Sequence, residues 1–115
     1  MKKHKILVYG AQNEILETVI QLINQREEWF AEGSTAEEKV IELFYRTQYD
    51  MVLLGGGISE QSEKKLRALF QMNNTDLLIV QHYGGGSGLL YNEIESAFET
   101  KKKSELQMID NPFKS

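Results

Sequence analysis

The sequence predicts a three-layer α/β domain, doubly wound about a five-stranded parallel sheet. Short continuous apolar runs alternate along it with longer amphipathic stretches, the pattern of buried strands joined by crossover helices. Its nine glycines follow those apolar runs, at Gly10, Gly33, 55–57, 84–86 and Gly88. In a strand-helix-strand chain these junctions gather at one edge of the sheet, where such architectures place their binding sites.

Ile6, Leu7, Val8 and Tyr9 form the first buried strand, and Ile15, Leu16, Val19, Ile20, Leu22 and Ile23 the apolar stripe of the first helix. Trp29, Phe30 and Ala31 give a short second strand. Ser34 and Thr35, each three residues ahead of a glutamate (Glu37, Glu38), offer overlapping capping boxes for a second helix that turns Val40, Ile41, Leu43 and Phe44 inward. Strand three spans 49–54. Ser59 can cap a third helix with Leu66, Leu69 and Phe70 toward the sheet and Glu60–Lys64 and Glu63–Arg67 pairs outside. Strand four covers 77–80. A fourth helix carries Leu90, Ile94, Ala97 and Phe98 and closes on the lysines 101–103, whose charge complements the helix dipole. Residues 106–109 read as a fifth, edge strand, closed by the sole proline, Pro112.

The 115 residues make one domain, 1–115, large enough to bury a core without disulfides or a structural metal. With no cysteine, there is no thiol nucleophile, disulfide or thiolate-bound metal, which suits a reducing compartment and gives a cytoplasmic expectation. The opening apolar run stops at Gly10, too short for a signal peptide or a membrane span, so no membrane partner is expected. A formal charge of -4 argues against nucleic acid as a partner, because phosphate binding relies on a clustered basic surface.

The strand-end residues Gly10, Ala11, Gln12, Gly55, Gly56, Gln81, His82, Gly84, Gly85 and Asn111 are the candidate ligand-binding set. Bare backbone at a helix N-terminus can approach a phosphate, so a nucleotide, flavin or other anion is one occupant of that edge, with His82 as its polar anchor. The same glycines also serve as flexible turns. Neither glycine cluster has a P-loop's lysine followed by serine or threonine, and Gln12, Asn13 and Glu14 break the dinucleotide-binding fingerprint after Gly10. His82 can titrate near neutrality, but no histidine, cysteine or serine-acid set groups with it in the sequence, so the chain is expected to be noncatalytic. His4, at the amino end of its strand, is expected to be exposed. Tyr9, Tyr83, Trp29 and Phe30 read as packing residues before stacking ones.

From Lys5-Ile6-Leu7-Val8-Tyr9-Gly10-Ala11 to Asp110-Asn111-Pro112-Phe113, element order, spacing and local wording resemble the receiver domains of bacterial two-component response regulators. The resemblance implies a flavodoxin-like sheet of order 2-1-3-4-5. It also implies an erased phosphorylation site. The family's adjacent acidic pair after strand one falls on Gly10 and Ala11, its phosphoacceptor aspartate on Gly55, its hydroxyl residue after strand four on Gln81, and its lysine before the closing proline on Asn111.

Acyl-phosphate chemistry needs the carboxylate, a magnesium site and a nearby cation. A receiver without them implies a regulatory or protein-interaction domain that works without phosphorylation, metal or cofactor. Receivers continue into a further helix that shares a sheet face with the first. A chain without that helix leaves the flank to the first helix alone, which implies a protein partner or a homodimer over it.

Overall fold

The computed structural model describes residues 3–110 of the chain. Four parallel strands, β1 (His4–Tyr9), β2 (Trp29–Ser34), β3 (Met51–Leu54) and β4 (Leu78–Gln81), lie in the order β2-β1-β3-β4. Four helices join or follow them: α1 (Asn13–Asn24), α2 (Glu37–Arg46), α3 (Glu60–Asn73) and α4 (Ser87–Asp110). The inner strands are apolar along their buried lengths, residues 6–9 of β1 and 51–54 of β3, because both of their faces are covered there. Successive side chains then divide between two cores. Ile6, Val8, Met51 and Leu53 pack with Leu16, Val19 and Ile23 of α1 and Leu90 and Ile94 of α4. Leu7, Tyr9, Val52 and Leu54 pack with Val40 and Leu43 of α2 and Leu66 and Phe70 of α3.

The first three strand-helix units match the expected pattern closely, except that Ile15, expected in the apolar stripe of α1, is exposed at its amino end. Ser59 caps α3, its hydroxyl accepting from the Ser62 amide at 3.1 Å, and the Glu60–Lys64 and Glu63–Arg67 ion pairs form at 3.4 and 2.9 Å. The capping boxes of α2 do not form. Its N-cap is Ala36, without a side-chain cap, and the Ser34 hydroxyl instead accepts from the Ala36 amide at 3.0 Å. Strand β2 runs on to Ser34, so Gly33 lies inside it rather than behind it. There it faces Val8 of β1, and an added Cβ would sit 1.9 Å from the Val8 carbonyl oxygen. Asn24 of α1 covers the outer edge of β2, its Oδ1 accepting from the Ala31 amide at 2.7 Å and its Nδ2 donating to the Ala31 carbonyl at 3.0 Å.

The fifth strand is corrected. Residues 106–109 belong to α4, which continues to Asp110 because no glycine or proline interrupts the chain between Leu89 and Asp110. The lysines 101–103 therefore sit within that helix and do not close it, and Lys101 Nζ donates to the Asp76 carbonyl at 2.6 Å. Among the described residues the sheet has four strands, with β4 at its edge.

The open flank is corrected as well. At Gly84 and Gly85, with φ of +112° and +110°, the chain adopts a conformation that suits glycine, and α4 then packs beside α1. Tyr91 donates to the Leu22 carbonyl at 2.7 Å, and Phe98 stacks on His4, which is exposed as expected, with ring centres 4.4 Å apart.

Tyr49, buried just ahead of β3, donates its phenol to Glu32 at 2.5 Å. Burial, and then the Glu32 carboxylate, push this phenol well above its ordinary range. Unfolded Tyr49 ionises near pH 10 while the folded phenol stays neutral, so stability from this group is present below about pH 10 and falls above it. Urea midpoints at rising pH should therefore drop more steeply in the native chain than in Tyr49→Phe. Equal slopes would remove Tyr49 as the cause.

Candidate functional site

The carboxyl ends of β1, β3 and β4 are tied together by backbone. The Gly55 amide donates to the Tyr9 carbonyl at 2.7 Å, and the His82 amide donates to the Leu54 carbonyl at 2.8 Å. The loops that leave these strands enclose a cleft of about 150 Å³ against α1. Its floor is apolar, made of Val8, Leu16, Val19 and Leu53. Seven of the candidate residues line it: Gly10, Ala11, Gln12, Gly55, Gly56, His82 and Gly84. Gly85 lines an adjoining shallow cavity, which His82 also reaches.

Gln81 is placed elsewhere. It ends β4, one residue before His82, and points to the α2–α3 side, where its Nε2 donates to the carbonyls of Leu54 and Gly55 at 3.2 and 3.3 Å. Its Oε1 is buried without a hydrogen-bond partner among the described residues. Asn111 lies outside the described residues.

His82 is the buried polar residue of this end, only 5 % exposed. Its Nδ1 bonds to a carboxylate oxygen of Glu93 on α4. A carboxylate accepts, so Nδ1 carries a proton, and in the neutral form of the ring Nε2 is the acceptor. Glu93 had no sequence signal as a partner, because the contact depends on the Gly84–Gly85 turn that brings α4 to this face. A second network on the α2–α3 side was equally silent. There Ser62 donates to Glu37 at 2.6 Å and stands 3.1 Å from the Tyr9 hydroxyl, while Lys65 donates to Glu37 at 2.7 Å. Lys65 first, then Ser62, hold the Glu37 carboxyl below its usual range.

Tyr83, expected to pack, stands on the cleft's rim at 84 % exposure together with Ile15 at 56 %. Trp29 is in the core and Phe30 is exposed. A wider groove of about 520 Å³ runs along the opposite, amino-terminal sheet edge, lined in part by His4, Glu28, Asp50, Glu95 and Phe98. Three of its carboxylates have partners close by: Arg26 holds Glu28 and Glu95, and Asp50 accepts from the Lys5 amide. The strand-end cleft, where the candidate residues gather, is the better candidate site, although it is the smaller of the two.

The cleft does not suit magnesium. It has no aspartate or glutamate in its lining, and glycine and alanine side chains offer a hard cation no oxygen. Nor does it contain lysine or arginine to balance a phosphate. What it offers is apolar surface, glycine backbone and one oriented imidazole. Among the described residues no helix is long and apolar enough to cross a membrane.

No protein-family model matches the chain, and no curated protein does either. Solved structures do. One is the signal receiver domain of an HD domain-containing protein from Pseudomonas fluorescens Pf-5, at a TM-score of 0.74 and 13 % identity, with 89 % of this chain and 99 % of that one covered. Another is the lactose-specific IIB component domain of the phosphoenolpyruvate:carbohydrate phosphotransferase system from Streptococcus pneumoniae, at a TM-score of 0.52 and 16 % identity, covering 89 % of this chain and 97 % of that one. At such identities the likeness is one of fold, and the fold is receiver-like.

Proposed function

We propose that this chain is a receiver-like regulatory domain that works without aspartyl phosphorylation and acts through protein contact rather than catalysis. One observation carries the reading. The strand ends that hold a receiver's acid pocket here present Gly10, Ala11 and Gly55 around an apolar cleft, so a phosphoryl group would meet neither an acceptor carboxylate nor a metal to neutralise it.

With α4 covering the α1 face, the contact surface moves from that flank to β4. The Leu78 and His82 amides donate to Asp50 and Leu54 on the β3 side. In a parallel ladder the intervening Ile79 and Gln81 then turn their backbone groups to the open edge. The β2 edge is covered by Asn24, whereas among the described residues β4 has no second neighbour, an arrangement suited to strand pairing with another copy.

Light scattering after size exclusion, on protein incubated with and without magnesium and acetyl phosphate, tests both parts. The expected result is one concentration-dependent monomer-dimer profile in the two samples and no phosphoryl adduct by intact mass. An adduct, or a profile that changes with acetyl phosphate, would overturn phosphorylation independence, and a monomer at every concentration would overturn self-pairing.

A further inference from the structure

We propose that the strand-end cleft binds a neutral, flat aromatic molecule of one or two rings, recognised through a single N–H or O–H donated to Nε2 of His82. The inference goes beyond the regulatory reading and survives its failure, because it rests on the cleft and not on phosphorylation.

Size sets the ligand class first. The cleft encloses about 150 Å³, and apolar cavities on the order of 150 Å³ accept benzene-sized rings and stay dry without one. Shape and lining agree with this. Val8, Leu16, Val19 and Leu53 supply apolar floor, while Gly10, Gly55 and Gly56 let a flat face approach backbone. Tyr83 and Ile15, both exposed, give the rim an aromatic and an aliphatic surface that a bound ring would cover.

Charge excludes the obvious alternatives. Lysine, arginine, aspartate and glutamate are all absent from the lining, so an entering ion meets no side chain of fixed opposite charge there. Burying an ion without one is costly, whereas a neutral ring loses little on entry.

His82 then supplies specificity. Its side chain is 6 % exposed, and Glu93 holds Nδ1 and with it the tautomer of the neutral ring. Nε2 has no hydrogen-bond partner among the described residues, yet it is not among the polar atoms sealed from solvent without a partner; Gln81 Oε1 alone is. In the neutral ring this acceptor is oriented by Glu93 and, among the described residues, unpaired. A donor on the ligand would complete it, and a donor-free ring of the same shape would leave it unpaired.

The test is a two-dimensional amide NMR titration with three probes: indole, 1-methylindole and inorganic phosphate. Indole should move the amides of Gly10, Gly55 and Gly84 together, with a Kd of roughly millimolar order for so small a ligand. 1-Methylindole, which keeps the rings and loses the donor, should bind roughly fivefold to tenfold more weakly. Phosphate should move none of these amides. His82→Phe should abolish the preference between the two indoles. Gly56→Leu, whose added Cβ meets nothing within 4 Å, should fold normally and weaken both by crowding the cleft.

No shift with indole, equal affinity for the two indoles, or phosphate moving the same amides in their place would each overturn the proposal. Because the comparison between indoles uses the unaltered protein, it stands even if His82→Phe fails to fold.

Discussion

Gly33→Ala should cost about 3 kcal/mol or more, enough to leave a marginally stable domain substantially unfolded. The cause is contact and not backbone freedom, because the new Cβ would lie 1.9 Å from the Val8 carbonyl oxygen and 2.7 Å from its carbon. Neither atom can move aside cheaply. Val8 is in the central strand, paired with Gly33 on one side and Leu53 on the other, so relief means parting β2 from β1. Gly56→Ala is the control, since its Cβ meets nothing within 4 Å; it should be neutral or up to about 1 kcal/mol more stable, as its unfolded chain is less free. Urea denaturation followed by circular dichroism separates the two. A Gly33→Ala variant as stable as Gly56→Ala would mean that β1 and β2 do not pair in this register.

The second large effect is a gain. In Gly10→Asp/Ala11→Asp/Gly55→Asp, three carboxylates are set where the receiver resemblance puts them. The backbone leaves room: an added Cβ at Gly55 comes no closer than 3.4 Å to Gly10 Cα and the Tyr9 carbonyl, and at Gly10 no closer than 4.0 Å to Leu16. Without metal the clustered carboxylates repel one another, so the variant should melt below the native chain. Magnesium at about ten times its Kd would return roughly 1.4 kcal/mol, which is about 5 °C for a domain of this size. The native chain should show neither the loss nor the recovery. A triple variant indifferent to magnesium would mean that these strand ends do not converge as a receiver's do.

Much of the fold was legible because its signals are local. The apolar runs of β1, β3 and β4, the stripes of the first three helices and the Ser59 cap each depend on a few neighbouring residues, and each is present with small shifts of boundary. The end of the chain was not legible. The apolar residues Leu106, Met108 and Ile109 satisfy strand and helix alike, and what decides it is the lack of any stop signal after Leu89. The side of the sheet on which α4 packs depends on positive φ at Gly84 and Gly85, which a sequence permits without requiring.

The site divided in the same way. Glycines at strand ends announced the cleft, and seven of the candidate residues line it. Gln81, which ends β4, points to the other face from His82, and long-range packing supplied Glu93, with no mark in the local sequence.

The central claim is that the strand-end pocket, without a carboxylate in its lining, cannot register a phosphoryl group. Its most direct test is the amide NMR spectrum of the native chain with magnesium and beryllofluoride, the phosphoryl mimic, compared with the spectrum without them. The predicted result is superimposable spectra, including the amides of Gly10, Ala11, Gly55 and His82. Saturable shifts confined to those residues would contradict the claim, by showing that the pocket still binds the metal and the phosphoryl group together.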